Sequence, residues 1–167
     1  MVTEMMEYCN NHFLISVENI EITFVDTTGV YTIEGDFAET YLAGQYIYIS
    51  GSILNDGAYK ISIVATGVLT VVELVLAEVS GDTDLFGCKV PKAFITLSSE
   101  IDTWNTDNAA KAGTAAEKID DYQINFFATV SSGGGWIKAF ESRLIQYKAA
   151  FDDVEKYLSR FRYGRCC

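Results

Sequence analysis

One histidine, four cysteines and three carboxylate clusters are the residues of this chain that could do chemistry, and their spacing supports none. His12 stands beside Phe13 at the end of a first helical stretch. No Cys, His or carboxylate lies at a metal-ligand offset from it, so it reads as a structural or exposed side chain. The carboxylates fall at Asp82-Thr83-Asp84, Asp120-Asp121 and Asp152-Asp153. A cation-binding loop needs several oxygen ligands at fixed offsets and a bidentate acid at its end, and none of the three has that pattern. Cys9, Cys88, Cys166 and Cys167 show no C-x-x-C spacing, which fits incidental thiols in a reducing compartment. Gly133-Gly134-Gly135 precedes a helix but lacks the Lys-Ser or Lys-Thr of a phosphate cradle. No catalytic, cofactor-binding or metal residue is assigned, and the expectation is a protein that binds or builds rather than an enzyme.

The elements that would position a site read as follows. Thr3 is the expected N-cap of a first helix whose stripe is Val2, Met5, Met6, Cys9 and Phe13. The period then changes to two. Alternation predicts strands over 20–24, 30–34, 46–50, 59–64 and 68–74, punctuated by turns at Asp26-Thr27-Thr28-Gly29, Asn55-Asp56-Gly57 and Thr66-Gly67. Residues 77–87 are polar and turn-rich. Pro91 opens a second helix with Phe94, Leu97, Ile101 and Trp104 on one face, ending near Asn105. Residues 106–118 read as a loop. Trp136 opens a final helix whose seam runs Phe140, Leu144, Tyr147, Phe151, Val154, Leu158, Phe161 for three heptads. Lys156, Arg160, Arg162 and Arg165 gather at its end.

Charge divides the chain. Residues 1–90 hold 13 acids and 2 bases, whereas residues 91–167 hold 10 of each, so the first half carries the whole net charge of −11. That argues against the β-rich half gripping a phosphate backbone. Ten Tyr and ten Phe suit a large core or adhesive surfaces. The N-terminal residues lack a basic n-region and an apolar h-region, and no apolar run approaches a membrane span, so neither signal peptide nor membrane insertion is expected.

Two stretches carry a resemblance. GQYIYISGSILNDGAYKISIVATGVLTV, residues 44–72, is similar to β modules of tailed-phage structural proteins with a "YVSGSxxNDGxY"-like strand–turn–strand. Residues 91–150 resemble the head–tail connector (adaptor) proteins of tailed bacteriophages and prophages, through a "W-x-x-A-F-x-x-R-L-x-x-Y" helix. Trp136, Ala139, Phe140, Arg143, Leu144 and Tyr147 match it.

The resemblance implies an α+β fold. It is a helical connector core (residues 1–19 and 91–167) with an inserted small antiparallel β-barrel or curled sheet of about five strands (20–90). It implies a virion component of the neck, assembled in the bacterial host cytoplasm: a ring, commonly of twelve subunits, that joins the portal protein to a tail-side stopper or terminator. DNA would pass through the channel without specific binding. A twelvefold ring of this chain would carry roughly −130, a wall sign that lets DNA slide. Tyr157, Phe161, Arg162 and Tyr163 are the expected portal contacts. Tyr46, Tyr48 and Tyr59, with unpaired strand edges, are the expected contacts to the next subunit or the tail-side protein. Another neck or tail-completion protein and a small-barrel binding module are the competing readings.

Overall fold

The structure, a computed structural model, describes residues 1–111, 117–119, 122–124 and 135–149. Six strands close into an antiparallel barrel in the order β1-β2-β5-β4-β3-β6. They are β1 (Leu14–Thr27), β2 (Val30–Glu34), β3 (Tyr46–Ser50), β4 (Gly57–Ala65), β5 (Val68–Val71) and β6 (Glu78–Cys88). The helices are α1 (Val2–Cys9), α2 (Lys92–Lys111) and α3 (Gly135–Leu144), the last followed by a 3-10 turn over Ile145–Tyr147. A separate two-stranded ladder pairs β7 (Glu117–Ile119) with β8 (Tyr122–Ile124). Among the described residues no helix is long and apolar enough to cross a membrane.

The period-two pattern does what it should on a pleated strand. Ile22 and Phe24 of β1, Ile33 of β2, Ile47 and Ile49 of β3 and Ile61 of β4 point inward and pack with Leu69, Val71 and Leu85. The β1–β2 hairpin turns on Thr28 and Gly29, both at positive φ, the two-residue form that matches strand twist. β1 pairs with β2 only through its second half, but with β6 along nearly its whole length, from Leu14↔Cys88 to Phe24↔Glu78. Two register shifts let β1 and β6 bend around the barrel.

A second core lies outside the barrel. Tyr46 of β3, Ala58 of β4 and Cys88 of β6 face outward and are covered by Met5, Met6 and Cys9 of α1, Phe94, Leu97 and Ile101 of α2, and Leu144 of α3. The amphipathic stripes of α1 and α2 are the ones the sequence shows. α1 ends in a Schellman-type cap, with Asn10 left-handed and the Asn11 N–H on the Met6 carbonyl.

The expected architecture is corrected. The chain is not a helical core carrying a small insertion: the closed barrel is the body, and the helices form a layer on one side of it. Two misread segments account for the difference. β1 begins at Leu14, not residue 20, and residues 77–87, read as turn-rich, supply most of the strand that closes the barrel, Glu78–Cys88. Their acids and glycines have low β propensity, and the inward positions Ser80 and Thr83 are polar, so no alternation shows.

Local expectations also shift. α1 starts at Val2, with Met1 at the cap and no side-chain cap bond, so Thr3 does not cap it. α2 continues to Lys111, past Asn105. The long final helix stops: α3 ends at Leu144, and Lys148 is extended. The seam positions Phe151, Val154, Leu158 and Phe161 lie outside the described residues. Every strand of the closed barrel has a partner on both sides, although β1 before Thr23 and β6 before Asp84 are paired along one side only.

Candidate docking surface

Three connections meet at one end of the barrel: the β1–β2 turn, the loop 51–56 after β3, and the linker 72–77 between β5 and β6. Their chemistry centres on Glu78, the first residue of β6. Its carboxylate accepts from the Ile53 N–H at 2.7 Å, the Leu54 N–H at 3.0 Å, the Ser52 hydroxyl at 3.0 Å and Asn55 Nδ2 at 2.7 Å. The Ser80 hydroxyl donates to it as well. Partial burial pushes the Glu78 carboxyl up. The bonds from Ser80, Ile53, Ser52 and Leu54 more than offset this and hold it down at about 2.

The rest of the loop is fastened by its own residues. Asp56 accepts from the Ser52 N–H at 2.8 Å, and the Ser52 hydroxyl accepts from the Asn55 N–H at 2.8 Å. Asn55 binds the linker through both ends of its amide: Nδ2 donates to the Leu76 carbonyl and Oδ1 accepts from the Leu76 N–H, at 2.9 and 2.7 Å. Tyr59, inside the barrel, donates its hydroxyl to the Asn55 carbonyl at 2.8 Å. Gly51 and Gly57 bracket the loop at positive φ. Gly51, Ser52, Asn55, Asp56, Gly57 and Tyr59 of the S-G-S-x-x-N-D-G-x-Y pattern therefore each have a structural task; of its three unspecified positions Ala58 is buried, and Ile53 and Leu54 are held out to solvent.

That outcome defines the surface. Ile53 is 82% exposed, Leu54 56%, Val79 64% and Leu74 63%. Leu76 is exposed as well, while Val75, between Leu74 and Leu76, is fully buried in the barrel. Apolar side chains on a loop locked by ten hydrogen bonds are an adhesive surface organised in advance.

The W-x-x-A-F-x-x-R-L-x-x-Y helix proves to be an internal fastening. Trp136 stands edge-on to Tyr8 at 5.7 Å, and Phe140 edge-on to Trp104 at 6.2 Å. Arg143 pairs with Glu100 of α2, Leu144 is fully buried, and Tyr147 packs on Phe94 at 4.9 Å. Only Ala139 faces solvent without such a role.

The other expected sites are placed as follows. Tyr46 is buried under the helices and Tyr59 inside the barrel, so the chain's own packing occupies both. Tyr48 is half-buried, its ring 4.1 Å from that of His12, which is itself buried. Asp84 accepts from Asn19 Nδ2 at 3.0 Å. Cys9 and Cys88 are buried thiols, and burial raises the Cys9 thiol. Among the described residues no group of three His, Cys, Asp or Glu could hold a metal. Tyr157, Phe161, Arg162 and Tyr163, and the pairs Asp120-Asp121 and Asp152-Asp153, lie outside the described residues. At the opposite end of the barrel an open pocket of about 520 Å³ is lined by Phe37, Glu39, Tyr41, Val64 and Thr66. Tyr41 there donates its hydroxyl to Glu18 at 2.5 Å.

Sequence reasoning found the loop but missed Glu78, Leu74, Leu76 and Val79. Glu78 lies more than twenty residues from the loop it holds. The available signal was Leu74-Val75-Leu76 running into Val79, an alternation interrupted by Ala77 and an acid.

Comparison with protein families, curated proteins and solved structures finds no match to this chain.

Proposed function

We propose that this chain is a structural assembly subunit: a head–tail connector of a tailed phage or prophage, working by contact rather than by chemistry. The observation that carries the reading is the locked 51–56 loop, which presents Ile53 and Leu54 beside Leu74 and Val79 on a rigid barrel end. Monomeric proteins rarely spend a fixed framework on displaying apolar side chains, and interfaces commonly do. The resemblance of residues 44–72 and 91–150 to phage structural proteins supplies the class of assembly. The subunit is built on a barrel with a helical layer, and it joins others into a ring between portal and tail-side protein in the virion neck. The acidic first half suits a channel along which DNA slides without being held.

Electron microscopy of the purified chain with and without its portal tests this. A ring seated on portal is the expected image, and a monomer without affinity for portal overturns the reading. In the ring, carboxylates of residues 1–90 on the outer surface around a neutral or basic lumen would remove the sliding-channel part alone.

A further inference from the structure

We infer that the barrel end around Ile53 and Leu54 seats the basic, aromatic C-terminal segment, residues 156–167, of a second copy of this chain. The inference rests on the ring-forming reading and names the two surfaces that would close the ring.

The first argument is charge. The three connections at this end, with Asp26 near the end of β1 and with Glu78 and Val79, carry Asp26, Asp56, Glu73 and Glu78 and no lysine or arginine. Residues 156–167 carry Lys156, Arg160, Arg162 and Arg165 and no acid. Their apolar members Tyr157, Leu158 and Phe161 match an apolar seat with an anionic frame. Aromatic and arginine anchors in an apolar surface are the usual source of binding energy, and opposed charge speeds and orients the encounter.

The second argument is position. The described chain ends at Ala149, whose N–H donates to the Cys9 carbonyl at 2.9 Å, and Asn11 Nδ2 donates to the Tyr147 carbonyl at 2.9 Å. Both contacts lie beside the link from α1 into Leu14, which pairs with Cys88. Glu78 is at the other end of the same strand. The last described residue, Ala149, therefore lies beside the end of α1 and the start of β1, and Glu78 begins β6 at the far end of the β1–β6 pairing. A seat on one copy that takes a different segment of the next copy makes a head-to-tail contact, the kind that closes into rings.

The test uses full-length chains in sedimentation velocity. The wild type should self-associate with concentration, and less at high salt. Ile53→Asp/Leu54→Asp and Arg160→Glu/Arg162→Glu should each weaken association about thirtyfold. Mixed one to one, the two variants should form a dimer and stop there, because each keeps one intact surface. Thermal melts check that both variants are folded. A wild type that is monomeric at every concentration overturns the inference, as do variants that associate normally. A mixture that stays monomeric also overturns it, since the segment would then sit on its own barrel. The underlying reading fails separately: rings on portal without self-association in solution leave the connector standing and remove this contact, and self-association without portal affinity does the reverse.

Discussion

Glu78 is a single carboxylate answered by five donors, and its replacement tests how much the loop depends on it. In Glu78→Gln one acceptor becomes an NH2 group facing other donors, so we expect a loss of about 2 kcal/mol in urea unfolding. The same residue sets an acid limb. Its carboxyl is at about 2 in the folded chain against 4.5 when unfolded. A depressed carboxyl stabilises fully above the unfolded value. That stabilisation drains as pH falls from about 4.5 toward 2, and the Gln variant should show a flatter limb in the same window. Asn55→Ala removes both amide bonds to Leu76, and amide exchange at Leu76 should quicken while the interior strands stay protected.

At the scale of elements, α3 separates packing from charge. Leu144 is fully buried against α1 and α2, so Leu144→Ala should cost about 3 kcal/mol in thermal or denaturant unfolding. Arg143→Ala, which breaks only an exposed pair with Glu100, should leave the melting curve nearly unchanged. This contrast shows what was legible in the sequence. Strands β2 and β3 and the stripes of α1 and α2 were readable because one face is apolar at the correct period. β6 was not, because Ser80 and Thr83 fill inward positions and Glu78 answers a loop remote in sequence. The end of α3 was equally hidden: Phe140, Leu144 and Tyr147 continue a helical seam, yet Tyr147 turns in to meet Phe94 and Phe13, and the 3-10 turn follows from that packing. The site was half legible. Ser52, Asn55, Asp56 and Gly57 announce a turn, but nothing in their spacing tells that Ile53 and Leu54 are what the turn displays.

For the whole molecule, display and stability should come apart. Ile53→Asp/Leu54→Asp changes only exposed side chains, so its unfolding free energy should stay within about 0.5 kcal/mol of wild type. Phe24→Ala, at the centre of the barrel, should lose about 4 kcal/mol. Assembly defects in the first variant would then be assembly defects and not unfolding. The β1–β6 seam has a further consequence, for how the chain comes to be folded at all. Leu14 finds Cys88 across the sequence of every other barrel strand, so closure is a long-range event in contact order. Stopped-flow refolding should therefore run in milliseconds to seconds, with no microsecond phase that recovers native signal. On the ribosome, Ile22, Phe24, Ile47 and Ile49 are all synthesised before the strand that shuts them from water exists. A nascent chain arrested before Glu78 should accordingly bind chaperones and be cut readily by protease, and one released beyond Cys88 should not.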